Sequence, residues 1–268
     1  MVVDAMKGLM CMAASKLPND FFLGAAMSGP QTEGAWQRFG KIENLWDTWS
    51  NECIEAFWNR VGSYGGNDFT SRYVEDFRLL RSLGLDSVRT SIQWSRLMDV
   101  NGRLNLNGAR YYHDMFVAAR DAGIELFVNL YHFDMPSYLF FRGHGGGQTV
   151  TKQERQKINW KEIDPRVWES REVIEAFAAY ARAAFLEFGQ EVKYWFTFNE
   201  PIVEPQQRFT HGVWYPCEHD FARARRVQYG ISLAHALACD VFRELQGRGD
   251  LCQDARIGLI NCFTPPYT

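Results

Sequence analysis

Five short apolar runs alternate along this chain with longer stretches whose apolar residues recur at helical spacing. The runs are 21–26, 87–94, 125–132, the one opening at Tyr194, and 256–262. The predicted helices between them span 68–83, 107–122, 169–188 and 221–245. In the first helix Phe69, Tyr73, Phe77, Leu80 and Leu83 share one face, and Gly84, Gly123 and Gly189 stand where the first three helices should stop. Strands alternating with helices imply a parallel sheet with right-handed crossovers. Two α/β architectures compete, a doubly wound open sheet and an eight-stranded barrel. An open nucleotide-binding sheet usually carries a Gly-rich loop after its first strand. Residues 24–34 contain glycines but no G-x-G-x-x-G or G-x-x-x-x-G-K-[ST]. Polar residues instead sit at or past successive strands: Gln31, Arg89, His132 and Glu200. Gathering reactive groups from several strand ends is the barrel pattern.

The most pointed segment is Trp195-Phe-Thr-Phe-Asn199-Glu200-Pro201. An apolar run without strict alternation reads as a strand buried on both faces. Proline cannot donate to a ladder and ends it, leaving a carboxyl group at the strand's C-terminal tip. The length of 268 residues suits one α/β barrel. A net charge of −3 gives no polyanion-binding face, so no nucleic-acid partner is expected. The six cysteines form no C-x-x-C pair and no zinc-spaced Cys/His cluster, and read as reduced thiols of a cytoplasmic protein. No apolar run approaches a membrane span, so no membrane partner is expected. Residues 1–16 make a poor signal peptide and read as a frayed N-terminal extension to a domain over 17–268. No carboxylate/His cluster suggests a metal, and no cofactor is implied.

Four motifs together resemble the N-terminal part of the family 1 glycoside hydrolases, a family of retaining β-glucosidases and 6-phospho-β-glycosidases. They are Phe22-Leu-Gly-Ala-Ala-Met-Ser-Gly-Pro-Gln31-Thr-Glu33-Gly34-Ala-Trp36, Val88-Arg89-Thr-Ser-Ile-Gln-Trp94-Ser-Arg96, Tyr131-His132-Phe133-Asp134-Met-Pro136 and Thr197-Phe-Asn199-Glu200-Pro201. The resemblance implies a (β/α)8 TIM barrel, here represented by about its first five strands. Glu200 resembles the general acid/base, which protonates the departing glycosidic oxygen and then deprotonates water. Asn199 resembles the ligand of the sugar 2-hydroxyl. Gln31 and His132 resemble ligands of the remaining hydroxyls. Arg89 resembles the cation that keeps the nucleophilic carboxylate ionised. Plainer readings exist: Gln31 capping a turn, His132 as a core histidine, Arg89 paired with Glu200 or Glu33. Glu33 is expected to support the fold rather than touch sugar.

Phe133 directly after His132, where many plain β-glucosidases have Trp, resembles the 6-phospho-β-glucosidase branch over enzymes for unphosphorylated β-glucosides. Two departures from the family pattern stand out. Residues 144–167 read as an atypical polar insertion, either a lid over the cleft or translated non-coding sequence. No Thr-Glu-Asn-Gly motif, which carries the family's nucleophile, is present. A retaining mechanism needs two carboxyl groups about 5–5.5 Å apart. The expectation is therefore a chain inactive and poorly soluble by itself, with a non-catalytic sugar-binding remnant or a gene fragment as alternatives. The aglycone and the oligomeric state are left open.

Overall fold

A computed structural model describes residues 17–35, 37–62, 64–140 and 166–263. The expected extension 1–16 lies outside the described residues, as does the expected insertion apart from Arg166 and Val167. The strands are β1 (Gly24–Ala26), β2 (Ser87–Ser91), β3 (Glu125–Tyr131), β4 (Tyr194–Asn199) and β5 (Arg256–Ile260). The longer helices are α1 (Leu45–Glu52), α2 (Phe69–Ser82), α3 (Leu106–Asp121), α4 (Arg171–Phe188) and α5 (Phe221–Arg248). All four strand pairings are parallel, in the order β1-β2-β3-β4-β5. That order decides between the two architectures. A doubly wound sheet reverses direction at a switch point, whereas a barrel adds each strand beside the last.

Most elements fall where the apolar spacing puts them, and the exceptions have local causes. Of the run 21–26, Gly24–Ala26 alone pairs with β2. Phe22 instead lays its ring edge-on against Phe127 and Tyr194, at centroid distances of 5.4 and 5.8 Å. Strand β2 stops at Ser91 because Trp94 opens a one-turn helix, Trp94–Leu97. Helix α1 is unforeseen, although it has a capping box. The Asn44 side chain accepts from the amides of Trp46 and Asp47, and the Asp47 carboxylate accepts from the amide of Asn44.

The core lies between the sheet and the helices. Val88, Leu126, Val128, Leu130 and Trp195 are buried, as are Phe77, Phe116, Phe177, Phe185 and Phe188 from α2, α3 and α4. Each fully buried side chain of this kind contributes about 1.5–3 kcal/mol. The sheet's other face is different. Phe127 stacks on Tyr194 at 4.6 Å and more distantly on Phe196, and all three remain half-buried. Thus β4 is not closed over on both faces, as its apolar run suggested. Helix α5 approaches α4 through Gly230, where any Cβ would lie 1.6 Å from the carbonyl oxygen of Trp168. The Arg166 amide donates to the Phe140 carbonyl at 2.8 Å, so the chain resumes where it left the described structure. Cys53, Cys217, Cys239, Cys252 and Cys262 form no disulfide among the described residues, and no described helix is long and apolar enough to cross a membrane.

Candidate active site

Three of the five anticipated residues meet across β2, β3 and β4, His132 and Asn199 from the C-terminal ends of their strands and Arg89 by the reach of its side chain. Arg89, midway along β2, directs Nη1 to Asn199 Oδ1 at 3.0 Å and to His132 Nδ1 at 3.3 Å. His132 and Asn199 are almost fully buried, and Arg89 is half-buried. Burial pushes the His132 pKa down to about 3, reinforced by the adjacent Arg89 cation, so the imidazole is neutral throughout the physiological range. An arginine has no lone pair to offer, so Nδ1 must be the acceptor and Nε2 carries the proton. The same logic applies to Asn199. Its carbonyl oxygen accepts from Arg89, which turns its amide hydrogens to the opposite side of the group. Arg89 therefore turns two neighbours into oriented donors, suited to hydroxyl oxygens.

Glu200 follows Asn199 directly. Its amide donates to the Ile260 carbonyl on β5 at 2.7 Å, and its carbonyl accepts from Val203 at 2.9 Å. Its φ of +46° lies in the left-handed region, which costs a non-glycine residue on the order of 1 kcal/mol. Such strain gathers at sites where a side chain must be aimed rather than relaxed. Phe133, next to His132, is held at φ +64°. Burial lowers the Arg89 pKa, and the Glu200 carboxylate acts against that by raising it. Gln31 stands apart. It lies in the short helix Gly29–Thr32 beyond β1, exposed, with Oε1 accepting from Ser28 Oγ at 2.8 Å. That turn is anchored to β2 by Gly29 N–H to Ser91 Oγ and by Met27 N–H to the Arg89 carbonyl, both at 2.8 Å. Gln31 thus sits beyond the same strand ends, with no hydrogen bond to the other four.

Glu33 has the supporting place expected of it. It is buried, accepting from Gln93 Nε2 at 2.6 Å, Arg96 Nε at 2.8 Å and Tyr112 Oη at 3.0 Å. Its ion-pair partner is Arg96 and not Arg89. Two further buried carboxyl groups were not singled out in the sequence. Asp134 accepts the amides of His132 at 3.0 Å and Trp94 at 3.1 Å, tying the end of β3 to the turn after β2. Burial raises its pKa to about 7 against the opposing pull of those amides. Glu204 accepts from Tyr131 Oη, Trp168 Nε1 and Arg208 Nε, and so braces the turn that follows Glu200. A signal for Glu204 was present: Glu204 and Arg208 stand four apart, the spacing of an ion pair on one helical face.

A neutral histidine, an amide and an arginine thus lie together at the end of a sequentially ordered parallel sheet, with Glu200 next in the chain after the amide, and strand ends of this kind are where barrel proteins gather reactive side chains. Residues 13–155 and 163–265 match the model of Glycosyl hydrolase family 1, and the chain belongs to that family. Over 253 residues it is 37% identical to the 6-phospho-beta-glucosidase GmuD of Bacillus subtilis (strain 168), covering 94% of this chain and 48% of that protein. It is 33% identical over 247 residues to Beta-glucosidase 4 of Oryza sativa subsp. japonica, covering 91% and 46%. Among solved structures it superposes on a beta-glucosidase from Thermotoga maritima in complex with deoxynojirimycin. That match has a TM-score of 0.74 and 30% identity, covering 92% of this chain and 50% of the other. The five strands are thus the first five of a (β/α)8 barrel, and the chain spans about half the length of the relatives it matches.

Proposed function

We propose that these residues form the acid/base half of a retaining β-glycosidase site that acts on 6-phospho-β-glucosides in carbohydrate catabolism. The observation carrying this reading is Arg89 holding His132 and Asn199 as oriented donors beside Glu200. In the first step Glu200 would protonate the leaving oxygen, and in the second it would take a proton from water. Asn199 would donate to the 2-hydroxyl, His132 Nε2–H to a neighbouring hydroxyl, and Gln31 to a third from across the strand ends. The phosphorylated substrate is favoured over a plain glucoside by Phe133 after His132 and by the 37% identity to a relative named for 6-phospho-β-glucosides. A cytosolic location accompanies a substrate phosphorylated on uptake.

The 268 residues alone are proposed not to turn over. Double displacement needs a second carboxylate about 5–5.5 Å from the first. Among the described residues, Glu200 is the one carboxylate whose charge acts on Arg89. The experiment measures hydrolysis and equilibrium binding of nitrophenyl β-glucoside and its 6-phosphate by the purified chain. The expected result is no hydrolysis, with saturable binding that is lost in Asn199→Leu. Hydrolysis abolished by Glu200→Gln would overturn the proposed inactivity while keeping the glycosidase reading. Binding of neither compound would overturn the site itself, and tighter binding of the unphosphorylated sugar would overturn the substrate.

A further inference from the structure

Strand β4 falls out of step with β5 just before the acid. Phe196 pairs with Gly258 and Asn199 with Ile260, three steps on one strand against two on the other. The offset changes which side chains face where. Phe196 shares the inner face with Phe127, at 6.3 Å. The next two residues both turn to the helical layer. Thr197 Oγ1 lies 2.7 Å from His235 Nδ1 on α5, and the Phe198 ring lies 4.7 Å from Phe177 on α4. Asn199 then returns to the inner face and meets Arg89. Strict alternation would have put Phe196 and Phe198 on one face and Asn199 on the other. The bulge is therefore what brings Asn199, and Glu200 after it, to the strand tips on the correct side. Bulges in parallel pairs are uncommon and gather beside active sites.

A polar chain holds the bulge. The Thr197 hydroxyl is also 3.3 Å from the Gly258 carbonyl. With a single hydrogen, it serves both neighbours by accepting from His235 Nδ1–H and donating to Gly258. His235 Nε2 is then left to the Cys239 thiol, 3.7 Å away and one helical turn further along α5. Burial keeps the His235 pKa below its ordinary value, with Arg243 adding to the effect, so the ring stays neutral and can play this single-tautomer part. The connection runs from helix α5 through β4 to β5, and each bond in such a chain polarises the next.

We propose that Thr197 and His235 are positioning residues, a pair through which α5 locks the β4 bulge that presents Asn199 and Glu200. The mechanical part stands on the register shift, and its catalytic meaning rests on reading Glu200 as the acid/base.

The test is amide hydrogen exchange by NMR on the purified chain. It compares the Glu200 amide, bonded to Ile260, with the Ile92 amide, bonded to Asn129. Thr197→Val keeps the shape and removes the hydroxyl, Thr197→Ser restores it, and His235→Phe removes the partner. The expected result is exchange at Glu200 about tenfold faster in Thr197→Val and His235→Phe, and within about twofold of the parent in Thr197→Ser, with Ile92 unchanged throughout. An unaltered Glu200 rate, equal acceleration at Ile92, or failure of Ser to restore protection would overturn the proposal. Should Thr197→Val not fold, His235→Phe and His235→Gln decide on the same criteria. If neither nitrophenyl glycoside binds, the acid/base reading falls while the lock is still judged on exchange.

Discussion

Arg89 and Asn199 are on strands separated by β3, yet Nη1 and Oδ1 lie 3.0 Å apart across the inner face, with His132 Nδ1 on the same nitrogen. One cation thus fixes the tautomer of an imidazole and the orientation of an amide. In Arg89→Met, His132 loses the nearby positive charge, and its pKa is expected to rise from about 3. It should stay below the ordinary histidine value, because burial is the larger cause of the depression. Titration of the His132 ring by NMR measures this directly. No upward movement would mean that Arg89 does not govern the site's electrostatics.

Glu200 is held at positive φ, where glycine pays no Cβ penalty. Glu200→Gly is expected to raise stability to urea by about 1 kcal/mol. A stability loss of similar size would show that the backbone there is relaxed.

Glu204 and Arg208 are both fully buried and 2.9 Å apart. Glu204→Gln leaves the Arg208 charge without its carboxylate and is expected to cost about 3–5 kcal/mol. The double variant Glu204→Gln/Arg208→Met should recover much of that loss, and chemical denaturation of Glu204→Gln, Arg208→Met and the double variant reads the coupling.

Gly230→Ala is expected to cost about 3 kcal/mol or to prevent folding, because its methyl would collide with the Trp168 backbone where α5 crosses. Thermal melts check this. A variant as stable as the parent would require α5 to shift outward without penalty.

His113 on α3 sits between Glu191, at 2.5 Å from Nδ1, and Glu187, at 3.0 Å from Nε2. Burial works to lower its pKa, but the hydrogen bonds and charges of the two carboxylates prevail and raise it. A raised folded pKa gives stability that is fully present below the unfolded value of about 6.5. It is lost as pH rises through the folded pKa. The side chain is about one-third exposed, which limits the increment to under about 1 kcal/mol. His113→Gln should flatten the part of the stability–pH curve that starts near the unfolded value of about 6.5 and runs upward from it.

The sequence was legible where local chemistry decides and silent where pairing does. Helix α2 lies where Phe69, Tyr73 and Phe77 place it, and α4 stops at Gly189. The capping box of Asn44 and Asp47 was readable and went unread. Phe21 to Leu23 looked like strand because hydrophobicity does not reveal which residues find a partner. The site residues Arg89, His132, Asn199 and Glu200 were visible as motifs, but the Arg89–Asn199 bond joins residues 110 positions apart. The bulge is beyond any one-strand pattern, since it is a mismatch between β4 and β5. Asp134 has no such signal because its role comes from the amides that folding brings around it, and the spacing of Glu204 to Arg208 shows their ion pair but not the Tyr131 hydroxyl that Glu204 also holds.

The hydrogen bond from Arg166 to Phe140 makes the two flanks of residues 141–165 neighbours. Closing a longer or shorter loop between fixed ends changes the free energy only with the logarithm of its length. Helix α4 and strand β4 take their places from β2 and β3: the Tyr180 hydroxyl on α4 bonds the Ile92 and Leu130 carbonyls, and β4 pairs along β3. The register of β4 on β3 and the seat of α4 are therefore set by these contacts and not by the number of residues that separate Phe140 from Arg166.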